Sequence, residues 1–245
     1  MKTALITGVS GGIGKATAKK FIDNGYFVIG QYNSNQKSID DFYLELEKEN
    51  KCDYFFGIKA DLNSSQDISK MMDSVEKSFK HLSVLVNNAG VSLTKLITDT
   101  TEKDWDKIFS VNLKSAYLIT NRVLKGMIES KRGTIVNVSS MWGINGSSME
   151  VAYSSTKAGL IGYTKALAKE VGYSGINVNC VCPGVIDTPM NKHLSEKDIN
   201  ELKEQTPLGR IGKPEEVANL IYFLSTDDAD FITGQVISVD GGFGI

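Results

Sequence analysis

Short apolar runs alternate with longer amphipathic stretches along the 245 residues of the chain. Seven runs have strand length: TALIT (3–7), YFVIGQY (26–32), DYFFGIKA (53–60), LSVLVNN (82–88), GTIVNVSS (133–140), GINVNCVCPG (175–184) and QVISVDGG (235–242). Between them lie stretches of helical length: from about Ile13 to Asn24, around Ile39, Phe42 and Leu46, and over 66–79, 102–129, 152–171 and 214–224. Strands apolar on both faces, joined by crossovers long enough to be helices, predict a parallel sheet covered on both sides. No Gly/Ser/Pro linker, charge block or internal repeat divides the chain. The expected fold class is therefore α/β, a single doubly wound domain over residues 1–245. The stretch 186–213 breaks the rhythm, and an excursion near the carboxyl ends of strands predicts a substrate-binding lid.

Composition adds mainly exclusions. The hydrophobic fraction of 41% and charged fraction of 23% are those of a globular protein, and a net charge of −2 offers no field for nucleic acid or an anionic membrane. MKTALITGVSGG reaches glycine too soon for a signal-peptide core or a membrane span, which leaves the cytoplasm as the expected location. Three cysteines and two histidines, His81 and His193, are too few and too scattered for a structural zinc site, so no metal is expected. Cys180 and Cys182 stand in one apolar run and are expected as buried free thiols on opposite faces of a strand.

TGVSGGIG (7–14) follows the first strand directly, with glycines at 8, 12 and 14 and a further one at 11. The spacing is looser than G-x-G-x-x-G but serves the same physics. Glycine permits a tight turn and lets backbone N–H groups approach a pyrophosphate, which then sits on the positive end of the helix starting near Ile13. The plainer reading is a ligand-free strand-to-helix turn. The first turn of an α/β chain is, however, where dinucleotide folds put the phosphate. After the second strand, Tyr32, Asn33 and Ser34 stand where an acid would hold a free ribose 2′-OH. Without that carboxylate, Asn33, Ser34 and nearby Lys37 are available to a 2′-phosphate. NADP(H) is the expected cofactor, with NAD(H) as the alternative.

A third constellation lies in VNVSSMWGINGSSMEVAYSSTKAGL (136–160). Ser140 ends a strand, and Tyr153 and Lys157 are four apart at the start of a helix, hence on one face. An ammonium near a phenol lowers the phenol's pKa, and such a tyrosine exchanges a proton with a carbonyl or alcohol oxygen that a serine hydroxyl holds. The ordinary reading makes Ser140 a cap, Tyr153 packing and Lys157 a solvated residue.

Taken in order, these motifs resemble the short-chain dehydrogenase/reductase family from Lys2 to Gly242: TGVSGGIG (7–14), NNAG (87–90), Asn112 in FSVNLKSAY, Ser140, Tyr153 with Lys157, Pro183-Gly184, and ITGQVISVDGG. The resemblance implies a Rossmann fold and an oxidoreductase that interconverts carbonyl and alcohol. It implies Tyr153 as acid/base, Ser140 as the group that polarises the substrate oxygen, Lys157 as the residue that lowers the Tyr153 pKa and holds the nicotinamide ribose, and Asn112 as the holder of a relay water. It further implies cofactor contacts from Gly8, Ser10, Gly11, Gly12, Ile13, Gly14, Tyr32, Asn33, Ser34, Asp61, Leu62, Asn88, Ala89, Gly90, Tyr153, Lys157, Pro183, Gly184, Ile186 and Thr188. Asp61 is placed on adenine, Asn88 on the adenosine ribose region, and Ile186 and Thr188 on the nicotinamide amide. A homotetramer or homodimer through the helices at 102–129 and 152–171 is implied as well, with Ala116, Tyr117, Leu160 and Ala166 as interface candidates that equally suit internal packing.

Within the family the nearest likeness is to 3-oxoacyl-[acyl-carrier-protein] reductases, on VCPGVIDTPM and TPLGRIGKPEEVANLIYFLSTDDADFITGQ. That implies an acyl-thioester substrate and acyl carrier protein as partner. Lys131 and Arg132 supply part of a basic docking face, while Ser174 stands where a basic residue is expected. Trp142, Met149 and Met190 suit an apolar pocket wall, whereas Asn145 and Ser147 suit a hydroxylated substrate. A free ketone, sugar or polyol therefore stays open as the substrate, and so does a dinucleotide-binding regulatory protein without catalysis.

Overall fold

The computed structural model describes residues 1–79, 81–191 and 194–244. Lys192 and His193 of the expected lid thus lie outside the described residues, as do Lys80 and Ile245. Seven strands form one sheet: β1 (Thr3–Thr7), β2 (Phe27–Tyr32), β3 (Phe55–Lys59), β4 (Val84–Asn87), β5 (Gly133–Val138), β6 (Ile176–Pro183) and β7 (Val236–Val239). Their order is β3-β2-β1-β4-β5-β6-β7, and every pairing is parallel. Strand order reverses between β1 and β4, the point at which open sheets of this kind leave a crevice at the carboxyl edge.

Alternate strand residues feed two cores. Ala4, Ile6, Val28, Val86 and Val181 face α1 (Gly12–Asp23), α2 (Gln36–Lys48) and α9 (Pro214–Phe223), through Phe21, Phe42 and Ile221 among others. Leu5, Ile29, Leu85, Ile135 and Val178 face α3 (Ser65–Ser78), α5 (Ser115–Ser130) and α7 (Val151–Val171), through Met72, Ile119 and Leu167. Burying both faces explains why the strand runs read as nearly continuous apolar segments. No helix among the described residues is long and apolar enough to cross a membrane.

Three expectations change. The stretch 102–129 is not one helix: α4 (Glu102–Phe109) and α5 are joined by a π turn at Ser110–Lys114. The 186–213 excursion contains a helix, α8 (Glu196–Gln205), which Ser195 and Asp198 start with a reciprocal capping box. Cys180 and Cys182 do not face apart. Residues two apart on a strand share a face, and the two buried thiols lie within hydrogen-bonding reach of each other.

Candidate active site

At the carboxyl end of β1 the chain turns through Gly8 at φ +74°, a conformation that favours glycine. A Cβ at Gly8 would stand 2.9 Å from the Ala89 Cα, one at Gly12 would stand 2.8 Å from the Thr188 Cγ2, and one at Gly14 would overlap the Gly8 carbonyl oxygen. The backbone of three segments therefore converges where side chains are missing. No side chain caps α1 at Gly11, so the first N–H groups of the helix point into the turn without a side-chain acceptor. This cradle fits a pyrophosphate. Ser10, Gly11 and Ile13 belong to the same turn.

Its scaffold contains residues that the motif does not name. Gln31 accepts from the Gly8 N–H with its side-chain Oε1 (3.0 Å) and donates from Nε2 to the Ala60 carbonyl (2.8 Å). Thr7 Oγ1 accepts from the N–H groups of Asn88 (3.0 Å) and Ala89 (2.9 Å). Asn88 Nδ2 donates to the Thr7 carbonyl at 2.8 Å, so this side chain clamps the two loops at the switch point. The available signal was a polar residue inside an otherwise apolar strand, Gln31 in FVIGQY.

Past β2 the predicted residues divide. Asn33 and Ser34 are exposed, as is Lys37 in the first turn of α2. Tyr32 is buried and its hydroxyl donates to Gln36 Oε1 at 2.7 Å, which leaves only its backbone to the cofactor side. Leu62 likewise points into the core, and Asp61 Oδ1 accepts from the Asn63 N–H.

On the other side of the crevice, Ser140 caps the short helix α6 (Met141–Asn145), its Oγ accepting from the Trp142 N–H at 3.1 Å. The Tyr153 hydroxyl faces Ser140 closely enough for that side chain to lower its pKa. Lys157 is buried, donates from Nζ to the Val138 carbonyl at 2.9 Å, and stands 5.6 Å from the Tyr153 ring centre. Gly143 makes this closeness possible: a Cβ there would meet the Ser139 Oγ at 2.7 Å and the Lys157 Cβ at 2.9 Å. Asn112 sits in the π turn between α4 and α5. Its Oδ1 accepts from the Val91 N–H (2.8 Å), and its Nδ2 donates to the Val91 carbonyl (2.9 Å) and to Thr156 Oγ1 (3.2 Å). A Cβ at Gly90 would lie 3.3 Å from Lys157 Nζ and 3.4 Å from Asn112 Oδ1, so all three border one small space.

The electrostatics depart from the expected lowering of Tyr153. Burial pushes its pKa up to about 12, against a smaller lowering from Ser140. Burial also drives Lys157 down to about 8. The reason is geometric: the Lys157 ammonium is hydrogen-bonded to a backbone carbonyl rather than to the phenol oxygen, so desolvation outweighs attraction.

β6 ends at Pro183, and a Cβ on Gly184 would press on Asp240. Ile186 is buried and bridges Gly212, and Thr188 lies over Gly12. Both ends of the 186–213 excursion thus lie near the glycine turn, because Pro214 also borders Gly12. The glycine turn, Asn88–Gly90, the Asn112–Ser140–Tyr153–Lys157 cluster and Gly184–Thr188 all occupy the carboxyl edge of β1, β4, β5 and β6.

A family model described as Enoyl-(Acyl carrier protein) reductase matches residues 8–244. The chain is 41% identical to a 3-oxoacyl-[acyl-carrier-protein] reductase of Thermotoga maritima, covering 98% of this chain and 97% of the relative. It is 39% identical to a (2S)-[(R)-hydroxy(phenyl)methyl]succinyl-CoA dehydrogenase subunit of Thauera aromatica, covering 98% and 96%. A solved structure from Agrobacterium tumefaciens, provisionally designated a gluconate dehydrogenase, superposes with a TM-score of 0.93 at 30% identity, covering 99% of this chain and 95% of that one. With a parallel seven-stranded sheet, a glycine cradle at its switch point and full-length relatives of this kind, the chain belongs to the short-chain dehydrogenase/reductase family of oxidoreductases.

Proposed function

We propose that the protein is an NADP(H)-dependent reductase that converts the carbonyl of a 3-oxoacyl thioester, carried by acyl carrier protein, to the secondary alcohol. The observation that carries this reading is the convergence of Ser140, Tyr153 and Lys157 beside the glycine cradle. Gly8, Gly12 and Gly14 would hold the dinucleotide's pyrophosphate, Asn33, Ser34 and Lys37 a 2′-phosphate, and Ile186 and Thr188 the nicotinamide end. When bound, the nicotinamide supplies the hydride that reduces the carbonyl carbon.

The chain's own residues handle the oxygen. Ser140 donates to it and fixes its position, and Tyr153 gives it the proton that completes the alcohol. A phenol that keeps its proton up to about pH 12 is protonated at neutral pH, the state a proton donor needs. Lys157, with a pKa near 8, is largely ammonium at pH 7 and offsets the charge left on Tyr153. Asn112 holds the space bordered by Gly90 and Lys157 open to a relay water.

An apolar chain on the substrate fits the surroundings. Leu96, Ile97, Ile144, Met149, Val151, Met190 and Leu208, on the segments following β4, β5 and β6, are each 40–66% exposed. Two relatives are named for acyl-carrier-protein and CoA thioesters. The structural neighbour's designation favours a second reading, a polar hydroxy acid or polyol. Lys131 and Arg132 precede β5 and stand a strand length, about 20 Å, from Ser140, with Arg132 paired to Asp227 at 2.6 Å. A carrier domain docked on them would have to deliver its thioester across that distance, or to the site of another subunit. Such a subunit has a groove of about 740 Å³ to cover, lined by Trp105, Phe109, Tyr117, Gly159 and Tyr163. Of the interface candidates, Tyr117 and Ala166 are exposed, whereas Ala116 and Leu160 are internal.

The test is oxidation of NADPH and NADH with acetoacetyl thioesters beside a panel of free ketones, sugars and gluconate-like acids. Thioester reduction that is faster with NADPH supports the proposal. Turnover of the polar panel alone replaces it with the second reading, and binding without any turnover returns the regulatory alternative.

A further inference from the structure

The turn Asp240–Gly244 touches three segments of the site, although no motif assigns it a role. Asp240 holds it closed, Oδ1 accepting from the Gly242 N–H (3.0 Å) and Oδ2 from the Gly244 N–H (3.2 Å). Gly241 and Gly242 have φ of +67° and +88°, and the returning end of the lid stretch fills the space a side chain would take there. A Cβ on Gly241 would lie 2.7 Å from the Thr206 Cγ2, and one on Gly242 would lie 3.0 Å from the Pro207 Cγ. The Leu208 N–H donates to the Gly241 carbonyl at 3.2 Å. On its other side, the Phe243 ring meets the Trp142 ring edge-on at 5.7 Å and 85°, and Gly244 lies beside Asn145. Trp142 is the residue whose N–H donates to Ser140 Oγ. A third side rests on Gly184.

We propose that this turn is a positioning clip, in which Phe243 couples the lid end at Thr206–Leu208 to the helix Met141–Asn145 and so fixes Ser140 against Tyr153. The physical reason lies in what the short helix lacks. Five residues cannot hold themselves in place, and the Ser140 cap aims the catalytic hydroxyl only as well as Trp142 is held. Gly143 lets the helix seat on Lys157 from one side, and Phe243 closes on it from the other. Displacing the lid end through Pro207 would then move Trp142 without touching it.

This inference rests on the reading of Ser140 and Tyr153 as the groups at the carbonyl oxygen, so its test includes a readout independent of turnover. The chain has two tryptophans, and in a Trp105→Phe background the emission reports Trp142 alone. Phe243→Ala and Phe243→Leu in that background should shift Trp142 emission. Phe243→Ala should lower kcat about ten- to a hundredfold, as expected for a misplaced catalytic group, with NADPH affinity within about twofold. Phe243→Tyr should restore most of the rate. Pro207→Gly should shift the emission in the same direction, and its effect should vanish when Phe243 is already Ala, a non-additivity that marks coupling. Unchanged emission in Phe243→Ala overturns the contact. Shifted emission with an unchanged kcat overturns the positioning role, and additive effects of Pro207→Gly and Phe243→Ala overturn the coupling. If the parent enzyme turns over no carbonyl, the functional reading has failed, and the emission cycle alone decides whether the clip exists.

Discussion

The two halves of the sheet build their parts of the site by opposite means. On the β1 side the cradle is made of backbone and of missing side chains: Gly8, Gly12 and Gly14 each stand where a Cβ would strike another segment. On the β5–β6 side the working parts are buried side chains, Ser140, Tyr153 and Lys157, and burial moves the pKa values of Tyr153 and Lys157 out of the ordinary range. One half is damaged by adding atoms, the other by removing a single one. Binding and proton transfer should therefore be separable by mutation.

The largest effect belongs to Tyr153→Phe, which deletes one oxygen from the buried half. Its kcat should fall by about 10²–10⁴, the usual worth of positioned acid/base transfer, as measured by NADPH oxidation with the best carbonyl substrate. Gly14→Ala tests the opposite half. The added methyl meets the Gly8 carbonyl, so the thermal midpoint should drop with an overpacking cost of about 1–3 kcal/mol. Dinucleotide affinity should fall with it, whereas the variant's rate at saturating cofactor should fall least.

A subtler difference concerns pH. Lys157 is lowered from an ordinary value near 10.5 to about 8, so its contribution favours the fold fully above pH 10.5 and is lost as pH falls through about 8. Denaturant titration should therefore show the parent gaining on Lys157→Met between pH 7 and 10, by up to about 3 kcal/mol. Tyr153 is raised to about 12 and works the other way, its contribution present below pH 10 and lost as pH rises through about 12. An unchanged gap between parent and Lys157→Met would mean that Lys157 is not desolvated. The smallest effect expected is in cofactor choice. Lys37→Glu, on an exposed helix turn, should reduce the preference for NADPH over NADH about fivefold, in line with an exposed ion pair of under 1 kcal/mol.

How much of this was legible follows the same division. Strand positions and the glycine turn could be read because they depend on local rules, such as apolar runs and φ-permissive residues at fixed spacing. The identities of Asn112, Ser140, Tyr153 and Lys157 were legible through the family resemblance, and the fold brings them together. Their electrostatic state was not. The Tyr153 pKa depends on where Lys157 Nζ finds its acceptor, the Val138 carbonyl, and spacing along a helix cannot show that. The break at Ser110–Lys114 was hidden for a similar reason, since Asn112 is held from outside its helix by Val91. The helix α8 within the 186–213 excursion was missed although its signal was present in Ser195 and Asp198, an N-cap and acid three residues apart. Gln31 was marked only as a polar residue in an apolar strand, and Gly143 and Phe243 act through tertiary contacts that nothing adjacent in sequence marks.

The most direct test of separable halves is the dissociation constant of NADPH for Tyr153→Phe, measured by nicotinamide fluorescence beside the parent. The account predicts a value within about twofold of the parent, since a phenol oxygen lost from the side-chain half leaves the backbone cradle intact. A loss of NADPH affinity as large as the loss of turnover would contradict it, and would make Tyr153 part of the binding site rather than the proton donor.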